Sequence, residues 1–359
     1  MSPKSNPDFI STLIGYQQLV WPYIQKHLDL LTSFPEFCQV DKKYQSLLDF
    51  HQLISSDYPL RHGKYLRPSL ILMIAQSMGV SPKLALNTAA AMQLSEEWIL
   101  IHDDIEDDSR ERRGKPTLHQ TYGKELAINA GDGLHSLMWY LLFQNQKILG
   151  SHLSQKISSE FSTMLFRTVF GQTIEIKWAK ENNLDLVLED ILLILESKTV
   201  YYTIAGPLRL GAILGGASNS DLNHLYNFGR FLGYAFQIQD DLLDITSSFS
   251  GLKKQTGNDI YEGKRTVMLI HLLQNIDPKN KKKLISILNK SRSQKTATEV
   301  TWVIKKMAEF GSLDFSKNLV KTNLDSARQY FHQHLGFIKK EPYRSQVINL
   351  IDFLANRDH

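Results

Sequence analysis

The sequence predicts an all-α protein, a bundle of about ten or more helices, and three observations predict it. Apolar residues recur at three- and four-residue spacing along most of the chain, the repeat of a helix with one buried face. Strand-like alternation bounded by turns is scarce. Glycine and proline interrupt the pattern often enough to leave helices of ordinary length, about 11–12 residues being the norm.

The breaks fall at Phe34-Pro35, Tyr58-Pro59, Gly79 to Pro82, Gly114 to Pro116, Gly150, Gly215 to Ser220, Ser247 to Gly257 and Asp277-Pro278, all turn or stop chemistry. Residues 1–60 read as N-terminal helices that serve a dimer contact or a pocket rim. After them, Gly63-Lys64-Tyr65-Leu66-Arg67-Pro68 leads into the apolar run LILMIAQSM. Proline suits the first turn of that helix. Lys64 and Arg67 then stand beside its positive end, a ready anion site. Further along, Asp277 to Lys295 is rich in lysine, which reads as a solvated loop and helix face. No stretch resembles an interdomain linker, so residues 1–359 are expected to form one domain.

Composition narrows the function. The chain has 359 residues, 42% hydrophobic and 22% charged, ordinary values for a globular protein. A formal net charge of +4 gives no case for nucleic acid, which calls for a basic stripe or patch. The single cysteine, Cys38, excludes an internal disulfide and a cysteine-cluster zinc site, and fits a reducing compartment. No signal peptide is visible at the N-terminus. No apolar run is long enough for membrane insertion. A cytoplasmic location is expected.

One short pattern occurs twice. Ile101-His102-Asp103-Asp104-Ile105-Glu106-Asp107 returns as Ile238-Gln239-Asp240-Asp241-Leu242-Leu243-Asp244. In each copy the first and last aspartates are four apart and share a helix face. Like charges so placed weaken a helix slightly unless something binds them. Both copies sit among apolar residues: Trp98, Ile99 and Leu100 before one, Phe236 beside the other. Magnesium is a hard cation usually held by one or two carboxylates plus substrate phosphates. Two facing ladders, Asp103/Asp107 and Asp240/Asp244, suit a diphosphate clamped through metal. One such ladder is weak evidence, because acidic surface patches are common; two with similar flanks are much stronger.

Basic residues stand near both ladders. Arg112-Arg113-Gly114-Lys115 follows the first by about a turn and a half of helix; Lys198-Thr199 lies in a helical stretch, and Lys254 and Lys264 flank the turn after the second. Singly, each is an ordinary surface charge. Together they place positive charge beside both acidic clusters. Gly263-Lys264-Arg265-Thr266 is not a nucleotide-binding P-loop: the upstream glycine is missing and Arg265 occupies the hydroxyl position.

From Gly63 onward the motifs GKYLRP, LIHDDIEDDSRERRGKPT, GQTIE, SKT, FQIQDDLLD and KQTGNDIYEGKRT occur in one order. In this the chain resembles the trans-isoprenyl diphosphate synthase family (farnesyl, geranylgeranyl and longer polyprenyl synthases). The resemblance implies a bundle around a central apolar cavity and a magnesium-dependent transfer of the prenyl group of an allylic diphosphate onto isopentenyl diphosphate, with a cluster of three magnesium ions and a homodimer. It implies Asp103, Asp107 and Asp240 as metal ligands, with Asp104, Asp241 and Asp244 as further ligands or as support. Arg112, Lys198 and Lys264 would contact the allylic diphosphate. Lys64, Arg67 and Arg113 would bind isopentenyl diphosphate, and Lys254 belongs to the same phosphate-binding loop. Thr199 and Gln237 would turn oxygen dipoles toward an allylic cation; Gln237 lies three and seven residues before Asp240 and Asp244, on their helix face. The double bond of isopentenyl diphosphate would capture that cation, and a proton would leave with the released pyrophosphate.

Three positions depart from the family pattern. Glu96 stands where a histidine or glutamine commonly helps to hold isopentenyl diphosphate; it is neutral, pairs with Arg67 or Arg113, or marks altered binding. Glu175 replaces an aspartate, and Tyr65 a basic residue. Upstream of the first ladder, Trp98 and Ile99 are either a floor that limits product length to fifteen or twenty carbons or plain core. A terpene cyclase also uses such a ladder but needs no second diphosphate site. A noncatalytic regulatory subunit would generally lose the acidic motifs that survive here.

Overall fold

The computed structural model describes residues 7–246 and 256–356, and there the periodicity resolves into helices joined by short turns. The first are α1 (Pro7–Leu28), α2 (Gln45–Leu60), α3 (Leu66–Ser77) and α4 (Pro82–Glu106). A small hairpin, β1 (Glu111–Arg112) and β2 (Lys115–Pro116), separates these from α5 (Leu118–Tyr122), α6 (Lys124–Leu149) and α7 (Ser151–Lys180). Next, α8 (Leu188–Leu195) runs into a π-helical stretch, Glu196–Ala205, then α9 (Gly206–Leu214) and α10 (Asn219–Thr246). The remainder is α11 (Asn258–Glu262), α12 (Val267–Asn275), α13 (Pro278–Leu288), α14 (Ala297–Glu309), α15 (Ser312–His334) and α16 (Tyr343–Ala355).

The punctuation acts as its chemistry dictates. Asp277 caps α13 by accepting from the backbone N–H groups of Lys279 and Asn280, with Pro278 in the first turn, where its missing N–H costs nothing. Thr296 and Glu299 form a capping box on α14. One break is displaced. Pro59 lies inside the last turn of α2, which ends at Leu60; so close to the end, proline removes one bond without stopping the helix.

The middle of the bundle is apolar and buried. On α3, Leu70 to Ala75 are all fully buried, as are Ala89 to Met92 on α4. Each fully buried leucine or isoleucine stabilises the fold by roughly 1.5–3 kcal/mol. α4 packs along α6, α3 along α9, and α10 between the π stretch and α15. The N-terminal helices are part of this core rather than only a rim. α1 buries Phe9, Val20 and Ile24 against α3, α4 and α16, and Tyr16 Oη donates to Gln76 Oε1 at 2.9 Å. Cys38 is exposed. No described helix is long and apolar enough to cross a membrane. The lysine-rich segment is a solvated face except at its end: Lys295 is buried and donates to the carbonyl of Tyr261 at 3.0 Å.

Candidate active site

The first ladder occupies the C-terminal end of α4, with Asp107 as its C-cap. Asp103 and Asp107 are half-buried, one turn apart. Asp104 lies on another face. It is fully buried and accepts from Tyr58 Oη at 2.6 Å and from Arg112 Nε at 3.0 Å. Both its oxygens are engaged, so of the two roles open to it the geometry favours support over ligation.

The hairpin after α4 explains why neighbouring arginines do different work. Arg112 pairs with Lys115, and the intervening Arg113 and Gly114 both have positive φ, 53° and 74°. Two such residues make the tight turn that matches strand twist, and glycine takes the second position without strain. Arg112 thereby turns back onto Asp104, with Asp103 3.9 Å away. Arg113 turns toward Glu97 at 2.9 Å, with Tyr58 O at 3.0 Å.

The second ladder lies on the last turns of α10. Asp240 and Asp244 are half-buried and Asp241 is buried. Gln237 stands one turn before Asp241 and donates to it at 2.9 Å. Asp244 Oδ2 accepts the backbone N–H of Asp259 at 3.1 Å, tying α10 to α11. Lys264, in the turn after α11, reaches Asp241 at 3.2 Å and Asp259 at 3.5 Å.

Close backbone contact brings the third wall in. A Cβ on Gly171 would stand 2.7 Å from Lys198 N, and one on Gly233 would stand 2.7 Å from Val200 Cα. Only glycine lets α7 and α10 approach the π stretch so nearly. Lys198 then meets Glu175 of α7 at 2.5 Å and Asp103 at 3.5 Å. Its neighbour Thr199 faces the other way and donates to Gln237 Oε1 at 3.0 Å. Such π segments often mark functional sites.

The electrostatics join both ladders in one cleft, since Lys264 acts on Asp103 and Glu262 on Asp107. Burial, Asp103 and Glu262 push Asp107 up to about 8. Burial pushes Asp241 up to about 7 against the pull of Lys264. For Asp103, burial is outweighed by Lys198 and Arg112, which hold its carboxyl below the usual range. Burial opposes the charge on Lys198 and Lys264, yet the acids around them raise both above an ordinary lysine. The cleft therefore gathers more negative charge than its lysines neutralise. A divalent cation fits that imbalance, and all the donors are hard oxygens. Among the described residues no three of these side chains converge enough to hold an ion alone. Magnesium is usually held by one or two carboxylates and completes its shell with water and phosphate. The buried Asp241 Oδ2 lacks a hydrogen-bond partner and is a further oxygen of the right kind.

Beside the hairpin, Arg67 meets Glu96 at 3.0 Å, and Arg113 lies 3.8 Å from Glu96. Of the readings open for Glu96, pairing is what the side chains do. Lys64 is exposed at the start of α3, and Tyr65 is buried with a left-handed φ of 55°. Lys254 lies outside the described residues. Trp98 packs on the His135 ring at 4.8 Å and the His102 ring at 5.6 Å, with Ile99 next to it against the core. Three participants were not singled out from sequence: Tyr58, Glu97, and Gln172, which donates to Asp103 at 3.1 Å and Glu106 at 2.6 Å. Gln172 lies in the GQTIE motif, and Glu97 adjoins Glu96.

The family model described as Polyprenyl synthetase matches residues 52–307. A short chain isoprenyl diphosphate synthase of Methanothermobacter thermautotrophicus is 32% identical over 297 residues, 83% of this chain and 87% of the relative. A geranylgeranyl diphosphate synthase of Sulfolobus acidocaldarius is 33% identical over 288 residues, covering 78% and 85%. Among solved structures, geranylgeranyl pyrophosphate synthetase of Pyrococcus horikoshii superposes with a TM-score of 0.82 at 25% identity, covering 98% and 99% of the two chains.

Proposed function

The chain belongs to the polyprenyl synthetase family, and from that premise we propose that it joins an allylic diphosphate head-to-tail to isopentenyl diphosphate. The product is a short all-trans prenyl diphosphate of fifteen to twenty carbons. The observation that carries this reading is that Lys198 meets Asp103 of the first ladder while Lys264 meets Asp241 of the second and still acts on Asp103.

Asp103, Asp107 and Asp240 would hold the magnesium, which supplies neutralising charge to a departing diphosphate when bound. Lys198 and Lys264 stay protonated among their acids and present fixed positive charge to the leaving group, so little reorganisation is needed as it departs. Asp104 keeps Arg112 at the mouth of the cleft. The Thr199 hydroxyl spends its proton on Gln237, and the Gln237 amide spends one on Asp241. Oxygen lone pairs are thus left to face an electron-poor allyl fragment. The apolar core behind excludes water that would quench it. Lys64, Arg67 and Arg113 form the basic set for the second diphosphate, which a cyclase does not need. We read residues 1–359 as one catalytic unit, cytoplasmic and homodimeric, with exposed Tyr140, Phe143, Phe166 and Phe170 of α6 and α7 as the pairing surface.

Purified protein incubated with geranyl diphosphate, magnesium and isopentenyl diphosphate should yield longer prenyl diphosphates, resolved by chromatography. Consumption of geranyl diphosphate alone, to a cyclic product, would instead make it a cyclase. Chelation of divalent ions should abolish turnover.

A further inference from the structure

Arg67 and Arg113, the cations assigned to the second diphosphate, are both already answered by carboxylates of α4. The two acids are held differently. Glu97 is fully buried; it accepts from Arg113 at 2.9 Å and 3.3 Å and from Gln93 Nε2 at 2.7 Å. It is locked, and it locks Arg113. Glu96 keeps some exposure. Its Oε2 lies 3.0 Å from Arg67 but outside hydrogen-bond geometry, and its Oε1 is 3.8 Å from Arg113. Charge holds it more than directed bonds do.

Arg67, in contrast, does not depend on Glu96 for its place. Its Nη2 donates to Thr203 Oγ1 at 2.8 Å, and its guanidinium lies 4.6 Å over the ring of Tyr202. Tyr202 is itself fixed by Ser95 at 2.9 Å. The arginine is therefore preorganised, and the glutamate sits where an anion would go.

We propose that Glu96 is a built-in competitor for the headgroup of isopentenyl diphosphate: it occupies Arg67 until the diphosphate displaces it, and so weakens the second substrate selectively. The inference rests on the prenyl-transfer reading above. A diphosphate entering this subsite meets a carboxylate at the cation it needs, and like charges brought together in an interface cost affinity. The allylic subsite, built around Lys198 and Lys264, shares no ion-pair partner with Glu96 among the described residues and is spared.

The test is steady-state kinetics of Glu96→Gln, which keeps the side chain's shape, and of Glu96→Ala. The KM for isopentenyl diphosphate should fall about tenfold in both, while the KM for the allylic diphosphate stays where it is. A merely structural residue would shift both constants or lower kcat. An unchanged or raised KM for isopentenyl diphosphate overturns the proposal, as does failure of both variants to fold by circular dichroism. If the wild-type protein turns over neither substrate, the prenyl-transfer reading fails first; wild-type turnover with an unmoved KM sinks the competitor alone.

Discussion

Arg112 closes on Asp104 through Nε and Nη2, and the carboxylate it grips has no exposed surface. The residue before it, Asp103, faces the cleft instead. Two adjacent aspartates thus carry separable duties. Asp104→Ala leaves the half-buried Arg112 guanidinium and the buried Tyr58 hydroxyl without their acceptor, and should cost about 2–3 kcal/mol of stability, read as a lower urea midpoint. Asp103→Ala should keep a midpoint much nearer to wild type while turnover falls roughly a hundredfold or more. Equal losses of stability in the two variants would argue against this division.

Upstream of the first ladder Trp98 packs on His135, and Trp139 Nε1 donates to His135 Nε2 at 3.0 Å. Trp98→Ala should lengthen the product by one or two isoprene units. Adding His135→Ala should lengthen it again. A product spectrum that ignores both substitutions would leave Trp98 as plain core.

Phe166 of α7 and Phe143 of α6 are 74% and 64% exposed, apolar surface of the kind that marks an association site. Replacing both by glutamate should convert a dimer to monomer in sedimentation at micromolar concentration, with the fold retained. An unchanged sedimentation coefficient would place the pairing surface elsewhere.

Burial, helped by Arg265 and Arg292, pushes Lys295 down to about 8. Between that value and the ordinary lysine pKa, the unfolded chain binds more protons than the folded one. The contribution of Lys295 to stability therefore rises with pH through this window. Relative to Lys295→Met, the wild-type urea midpoint should climb from pH 8 to pH 10, by up to about 1 kcal/mol per pH unit in free energy. A flat difference would show that the ammonium is solvated after all.

What the sequence made legible follows from the range over which each feature acts. Helical spacing, proline stops and the doubled aspartate pattern are local, and each copy of that pattern falls at the C-terminal end of a helix, α4 and α10. The partners that decide each carboxylate's role are distant. Tyr58 is 46 residues from Asp104 and Gln172 is 69 from Asp103, and no periodicity reports such a pairing. Composition misled at Lys295, because a lysine-rich stretch says nothing about which ammonium is buried. The local rule also left Asp104 between two roles; helix phase alone could not show that Tyr58 and Arg112 were waiting behind it.

The π stretch at Glu196–Ala205 has a consequence for engineering. Consecutive helical residues point about a quarter-turn or more apart, and here Lys198 faces the acids of α4 and α7 while Thr199 faces α10. Removing one residue upstream would swing the ammonium out of the cleft and bring the larger Tyr201 to the place that Val200 holds against Gly233. Loop grafts or circular permutants of this scaffold should therefore preserve residue count between α8 and α9, even where they alter the side chains.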